Sequence, residues 1–193
     1  MGSFAPGLLV YIMNNEVHSG INGTQTEQNL NNAFAGEARS HMRYRLYADA
    51  AKRNGDVMLS KLLSEVAENE KEHAELWMEY MGELEADEKN LENLISGERY
   101  ENTVLYPEYA KIADEEGFYE IADKMRMAAN AEKHHEKTLQ EYLTQMQNGT
   151  RYTGNENTEW VCTNCGYTYE GAQPPERCPL CSHPRNYFTK ITD

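Results

Sequence analysis

Four glutamates on otherwise apolar helical faces constrain this 193-residue chain more than any other feature. The first helical pattern starts near Thr24 or Thr26, where Thr24 and Glu27 have capping-box spacing. Leu30, Phe34, Glu37, His41 and Tyr44 then recur with helical period, as far as about Lys52. Asn54-Gly55 ends it, since glycine takes the left-handed cap conformation at no steric cost. The second pattern runs from Asp56 to about Met81 and puts Leu59, Leu63, Val66, Glu70, His73, Trp77 and Tyr80 on one side. The third carries Leu91, Leu94, Ile95, Glu98, Glu101 and Leu105, and Pro107 is expected to kink or break it. The fourth carries Ile121, Met125, Glu132, His135, Leu139, Tyr142 and Met146. Four long helices with apolar faces predict an all-α bundle.

Ionised carboxylates do not stay on buried faces unless they are paired or hold a metal. Here the acids come with imidazoles. Glu70 and His73 form one Glu-x-x-His, Glu132 and His135 another, and residues three apart are neighbours on a helix surface. One such motif in a glutamate-rich chain arises readily by chance. Two of them on alternate helices, with Glu37 and Glu98 on the others, form the inward-projecting pattern of di-iron and di-manganese carboxylate bundles. The competing reading is a set of surface acids on misphased helices. Carboxylate-rich ligation with two imidazoles suits iron or manganese better than copper. His134 reads as a neighbour pointing elsewhere, and His41 as a satisfied structural histidine. Most of the Met and Tyr residues read as core.

The second constraint is in the tail. Cys162-x-x-Cys165 and Cys178-x-x-Cys181 hold every cysteine of the chain in one short window. Two such knuckles can close a tetrahedron of thiolates around one ion, and zinc and iron both accept it. The clustering argues against a scattered disulfide framework. Composition shifts between the two regions and divides the chain. Residues 1–23 read as a leader with no assignable chemistry, 24–147 as the bundle, 148–158 as a linker, and 159–193 as the four-cysteine domain.

The net charge of −14 disfavours nucleic acid as a partner, because phosphate binding needs clustered Lys and Arg. The apolar stretch Phe4–Met13 is far short of the ~20 residues that span a bilayer, so no membrane association is expected. No Lys or Arg precedes Arg39, which leaves a signal or transit peptide without its positive region. Pro6 stands where a myristoylation signal at Gly2 wants Ser or Thr. The expected location is the cytoplasm.

The residues around these ligands resemble a known family. Ala33-Phe34-Ala35-Gly36-Glu37 followed by Met42-Arg43-Tyr44 is similar to the first-helix signature of rubrerythrins. Gly97-Glu98-Arg99-Tyr100-Glu101 with Leu105-Tyr106-Pro107 resembles the third, and Ala131-Glu132-Lys133-His134-His135-Glu136-Lys137 the fourth. Cys165-Gly166-Tyr167-Thr168-Tyr169-Glu170-Gly171 and Cys178-Pro179-Leu180-Cys181 look like the iron knuckles of rubredoxins. The resemblance spans residues 24 to 193. It implies a ferritin-like four-helix bundle joined to a rubredoxin-like domain, and a non-haem peroxidase that reduces hydrogen peroxide to water in protection against oxidative stress. Glu37, Glu70, His73, Glu98, Glu101, Glu132 and His135 match the family's di-iron ligands. Cys162, Cys165, Cys178 and Cys181 match the ligands of a further iron. Glu101 and His73 match ligands that alternate with oxidation state, and Tyr44 and Tyr106 match tyrosines lining the site. The implied partners are hydrogen peroxide, a redox-protein electron donor (rubredoxin or an NAD(P)H-dependent reductase), and a second copy of the chain in a homodimer or larger homo-oligomer.

Three other readings share these residues: an oxidase or iron-storage protein, a zinc-stabilised binding module, and an electron-transfer or sensing protein. Two geometric expectations also follow. Helices 2 and 3 run parallel in a ferritin-like bundle, so their link must return along it. With the third helix starting near Asn93, about twelve extended residues reach up to ~40 Å, enough for the return with little slack, and exchange of helices between subunits stays open. Helix 4 continues fourteen residues beyond Glu132, ~21 Å, before the linker begins. A head-to-tail dimer would therefore bring each cysteine domain beside the other chain's bundle.

Overall fold

The computed structural model describes residues 20–191. Residues 1–19 of the expected 1–23 leader, with Gly2 and Phe4–Met13, lie outside the described residues. The chain forms helices α1 (Gln25–Arg53), α2 (Val57–Met81), α3 (Asp87–Tyr100), α4 (Tyr106–Glu115) and α5 (Tyr119–Gln147). A π-helical segment, Glu101–Leu105, joins α3 to α4. Strands β1 (Glu159–Cys162), β2 (Thr168–Glu170) and β3 (Phe188–Lys190) follow, with a 3₁₀ turn at Arg185–Tyr187. Contacts divide the chain into two compact units with the break after Ala86. The described chain is mostly helical, with a small C-terminal region of short strands. No helix among the described residues is long and apolar enough to cross a membrane.

Local chemistry sets the helix ends. The Thr24 hydroxyl accepts from the Glu27 N–H at 3.2 Å, and Glu27 reaches back to the Gly23 N–H at 2.6 Å. The capping box thus closes one residue further out than its usual form. Gly55, at φ +85°, lets the chain reverse between α1 and α2. Asp56 then caps α2 by accepting from the Leu59 N–H at 2.9 Å. Gly82 ends α2 in the left-handed conformation, at φ 72°.

Two departures from the sequence reading matter. α3 begins at Asp87, six residues before Asn93, so the link from α2 is only Gly82–Ala86. Asp87 and Glu88 fill its first turn, where negative charge complements the helix dipole. At Pro107, where a kink or break with a continuation to Glu116 is expected, the helical path changes type through a π segment and continues as α4 to Glu115. A proline inside an α-helix clashes with the carbonyl four residues back and donates no hydrogen bond. The π segment widens the preceding turn, and Tyr106 N–H bonds to the Glu101 carbonyl five residues back. Side chains serve backbone acceptors there: Asn102 Nδ2 donates to the Glu98 carbonyl at 2.9 Å, and the Thr103 hydroxyl to the Arg99 carbonyl at 2.6 Å.

In the first unit α1 and α2 form a hairpin, and its buried residues are all small: Ala48, Ala51, Ala67 and Ala74. Alanine lets the two backbones approach closely. His41 fastens the hairpin through Nδ1, 2.8 Å from the Ala67 carbonyl. In the second unit α3 and α4 pack along α5 through Ile95, Ala110, Ala113, Ala122 and Leu143. Arg126 ties α5 to α4 at Asp114, 2.8 Å away. The large apolar side chains lie elsewhere and stay open to solvent: Met42, Leu46, Tyr47, Leu62 and Leu76 on the first hairpin, and Leu94, Val104, Ile112, Ile121 and Met127 on the second. Fully burying each would be worth about 1.5–3 kcal/mol, so these faces are where most of the available hydrophobic stabilisation remains unused.

The strands form an antiparallel sheet of order β2-β1-β3, with Trp160 paired to Tyr169 on one side and Lys190 on the other. Trp160 is 1% exposed and donates its indole N–H to the Gly171 carbonyl at 2.8 Å. Phe188, Cys162 and Cys178 complete this small core.

Asp56→Ala should cost about 1 kcal/mol of stability, the usual loss of a side-chain N-cap. Chemical denaturation of the metal-free protein followed by helical circular dichroism checks this. An unchanged midpoint would show that the cap at Leu59 contributes nothing.

Candidate metal centres

Each helical unit carries half of a matched ligand set. In the first hairpin α1 supplies Glu37, and α2 supplies Glu70 and His73. His73 Nδ1 lies 3.8 Å from Glu37 Oε1 and 3.6 Å from Glu70 Oε2. In the second unit α3 supplies Glu98, and α5 supplies Glu132 and His135. His135 Nδ1 lies 3.4 Å from Glu98 Oε2 and 2.7 Å from Glu132 Oε2. Both groups thus converge two carboxylates and one imidazole nitrogen, the donor set expected of one half of a di-iron site. The carboxylates are largely covered, whereas the His73 and His135 side chains are 54% and 55% exposed.

The electrostatics of the metal-free groups point the same way. The Glu37 carboxyl is raised above its ordinary 4.5, first by the hydrogen bond it shares with Glu70, then by burial and by Glu70's charge. Glu98 is raised by burial first, opposed by His135 and reinforced by the charges of Glu132 and Glu101. Glu98 Oε2 is buried without a hydrogen-bond partner. Crowded carboxylates that resist ionisation, and a buried oxygen left bare, are what a cation would relieve. The residues present therefore fit a di-iron centre.

Three other expected site residues are placed but not drawn into these triads. Glu101 is half-buried at the start of the π segment, one turn beyond Glu98 and near enough for its charge to raise Glu98. Tyr44 is half-buried on α1, two turns beyond Glu37, and Tyr106 is half-buried at the start of α4. His134 is exposed beside His135 on α5. Sequence reasoning missed the support around the second triad. Glu136 accepts from Arg99 Nε at 2.7 Å and from Asn102 Nδ2 at 2.8 Å. It thereby clamps the π segment, and Glu101 with it, to α5. Trp77, one turn beyond His73, lowers Glu37 through its nearby indole N–H, yet that N–H makes no hydrogen bond of full geometry.

The four cysteines form the other centre. Cys162 Sγ is 3.7 Å from Cys181 Sγ, and Cys165 Sγ is 3.6 Å from Cys178 Sγ. Those separations are far beyond a disulfide, which closes at ~2.05 Å. They match the ~3.8 Å edge of a tetrahedron whose metal–sulfur bonds are ~2.3 Å. The His183 backbone N–H, with help from the neighbouring thiols, pulls Cys181 down to about 6. At Cys165 the Tyr167 N–H pulls the same way, but burial and the other three sulfurs push it up to about 12. Cys181 is thus more readily ionised than Cys165.

The comparisons with known proteins decide what these groups belong to. The rubrerythrin family profile matches residues 28–143, and the profile of the rubredoxin-like domain of rubrerythrins matches residues 160–189. The chain belongs to the rubrerythrin family. Rubrerythrin of Nitratidesulfovibrio vulgaris is 38% identical over 181 residues, covering 87% of this chain and 95% of that protein. Rubrerythrin-1 of Clostridium acetobutylicum is 36% identical, covering 90% and 97%. Rubrerythrin of Clostridium perfringens is 37% identical, covering 87% and 95%. This rubrerythrin is accordingly a di-iron protein with a rubredoxin-like domain, and iron is its cofactor. The paired Glu-Glu-His groups suit the di-iron site and the four cysteines suit a further single iron.

Two measurements test this electrostatic picture. A carboxylate raised on folding contributes stability that is complete below its unfolded pKa and lost as pH rises through the folded value. At pH 7 the metal-free chain therefore bears the full cost of Glu37 beside Glu70. Glu37→Gln should raise Tm without metal at pH 7, lose that advantage near pH 4, and weaken iron binding. Equal Tm values at both pH values would remove the like-charge explanation. In metal-free protein at pH 7, limiting iodoacetamide should label Cys181 first, with Cys165 much slower, as read by peptide mass mapping.

Proposed function

We propose that this rubrerythrin is a peroxidase that reduces hydrogen peroxide to water, in defence against oxidative stress, using electrons received through its four-cysteine centre. The observation that carries this reading is the coexistence in one chain of a carboxylate–histidine ligand set for two ions and a tetrahedral thiolate cage for one. When bound, the paired irons would supply the two electrons that convert hydrogen peroxide and two protons into two water molecules.

The chain's own residues have separable tasks in this scheme. Glu37, Glu70, Glu98 and Glu132 hold the pair, and their flexible binding modes accommodate a change in charge. Glu101 and His73 act as alternative ligands for the oxidised and reduced states. The half-exposed His73 and the position of Glu101 outside the second triad support that assignment, since both side chains have room to move. Tyr44 and Tyr106 line the site and donate hydrogen bonds to its ligands or to oxygen atoms of the substrate. Cys162, Cys165, Cys178 and Cys181 hold the entry point for electrons from a redox-protein donor, a rubredoxin or an NAD(P)H-dependent reductase. The iron-storage alternative uses only the bundle and leaves the thiolate cage without a task.

Native protein purified without oxygen should contain about three irons per chain, two from the Glu–His set and one from the cysteines. After full reduction, hydrogen peroxide should reoxidise it faster than air at equal concentration. Cys178→Ser should retain the bundle irons and lose turnover with the electron donor supplied. Stoichiometric zinc at the cysteines with less than one iron per chain, or normal donor-driven turnover in Cys178→Ser, would overturn the reading.

A further inference from the structure

The segment between α5 and β1 has the Asn, Gly and Thr composition of a loose linker, yet its backbone is hydrogen-bonded along its length. α5 ends in a Schellman motif around Gly149, at φ +67°. The Gly149 N–H donates to the Met146 carbonyl at 3.1 Å, and the Thr150 N–H to the Gln145 carbonyl at 2.9 Å. A tight turn follows, closed by the Thr153 N–H on the Thr150 carbonyl at 3.0 Å. The next residue bonds into the cysteine domain, where the Gly154 N–H donates to the Ala172 carbonyl at 2.7 Å. The Asn155 N–H then donates to the Thr158 hydroxyl at 2.8 Å, and the Thr158 N–H to the Asn155 carbonyl at 3.0 Å. Only glycine fits at position 154 as the turn stands, because a Cβ there would come within 2.7 Å of the Thr158 Cβ.

The two corner residues of the Thr150–Thr153 turn grip what lies on either side. The Arg151 guanidinium carbon stands 5.9 Å from the centre of the Tyr142 ring on α5 and 5.6 Å from that of Tyr152. A cation over two ring faces is attracted by both. Arg151 also shares a hydrogen bond with Tyr142, and the charge of Asp87, at the start of α3, adds to the attraction. Tyr152 in turn packs against the core of the cysteine domain, made by Trp160, Cys162, Cys178 and Phe188. Arg151 and Tyr152 are both half-buried, whereas a solvated tether leaves its side chains in water. Every residue of this joint belongs to the second compact unit.

A tether of the same length without internal structure would let its far end wander over roughly 18 Å. Electron transfer slows steeply with distance, so a wandering centre would deliver electrons at many different rates. We infer that residues 148–158 form a rigid elbow pinned by Arg151, which holds the four-cysteine centre in one orientation at the end of α5. Electrons then enter at a fixed point and not on a swinging domain, and Arg151 is a positioning residue for that entry. The purpose of the elbow rests on the electron-entry reading of the cysteines. Its existence rests on the hydrogen bonds and ring contacts alone.

Hydrogen exchange and electron transfer, measured on the same iron-loaded full-length protein, test it. In the wild type the amides of 148–158 should exchange roughly a hundredfold slower than in a free chain. Arg151→Ala should speed them about tenfold, the loss expected for two ring contacts of ordinary strength. Peptides from 160–189 and the visible ferric-thiolate band should stay as in the wild type. Arg151→Lys keeps a cation without the planar fork and should restore part of the protection. Free-chain exchange in the wild type, or wild-type exchange in Arg151→Ala, would overturn the elbow. Should Arg151→Ala lose the ferric-thiolate band, Tyr142→Leu carries the test, because Tyr142 meets the joint from α5. It must release the same amides, and unaltered exchange in this variant would equally overturn the elbow. The second readout follows reoxidation of the reduced cysteine iron by the bundle irons after a light-triggered electron donor has acted. The wild type should show one rate, and Arg151→Ala a spread of slower rates. A single wild-type rate in Arg151→Ala, with its amides released, would remove the positioning role. Absence of any such transfer in the wild type would sink the electron-entry reading, while the exchange result would still decide the elbow.

Discussion

The cost of keeping ionised carboxylates away from water governs the helical part of this protein. Glu37 is raised by the hydrogen bond it shares with Glu70, and Glu98 has a buried oxygen that makes no hydrogen bond of full geometry, its neighbour His135 Nδ1 standing 3.4 Å away. Without a cation these groups resist ionisation, and the fold carries that resistance as lost stability at neutral pH. A divalent ion between them converts like-charge repulsion into ligation. Metal affinity and fold stability are therefore the same free energy counted at two sites of the chain. The rubredoxin-like region solves a similar problem differently. Its sulfurs stand at tetrahedral spacing already, and the thiolate at Cys181 is stabilised by the His183 backbone N–H.

The alanine seams follow from the same demand. A hairpin that presents two carboxylates and an imidazole to one point needs its helices close together. Ala48, Ala51, Ala67 and Ala74 permit that approach in the first unit, as do Ala110, Ala113 and Ala122 in the second. Close packing through small residues buries little apolar area. The hydrophobic stabilisation has to come from the outward-facing Leu, Met, Tyr and Ile side chains, and these gain it only when another surface covers them. The ligand geometry thus leaves large apolar side chains of each hairpin open to solvent.

Much of this was legible from residue spacing, because the signals are local. The Thr24–Glu27 box and the Asn54-Gly55 stop depend on neighbours within one turn. Glu-x-x-His is itself a one-turn motif, and two cysteine knuckles name their own partners. The third helical pattern was less legible. Pro107 argues for a break, and the π segment that absorbs it depends on Asn102 and Thr103 serving carbonyls that a regular helix would pair itself. The start at Asp87 was hidden because residues 87–90 show no apolar period, only the acidic bias of a first turn. Glu136 was invisible as a support, since its contacts with Arg99 and Asn102 cross between elements 34 to 37 residues apart.

The π segment also explains why one carboxylate in this set can behave unlike the rest. Glu37, Glu70, Glu98 and Glu132 project from α-helix, where each side chain is held by a backbone that cannot shift without breaking several hydrogen bonds. Glu101 opens a widened turn that side chains also brace: Asn102 spans from the Glu98 carbonyl to Glu136, and Arg99 adds a second contact to the same acid. The π turn keeps its own backbone bond from Tyr106 N–H to the Glu101 carbonyl, and its register is tied to α5 through Glu136. π turns recur at functional sites for this kind of reason. Glu136 follows His135 directly on α5, so the acid that anchors the π segment stands next to a member of the second triad.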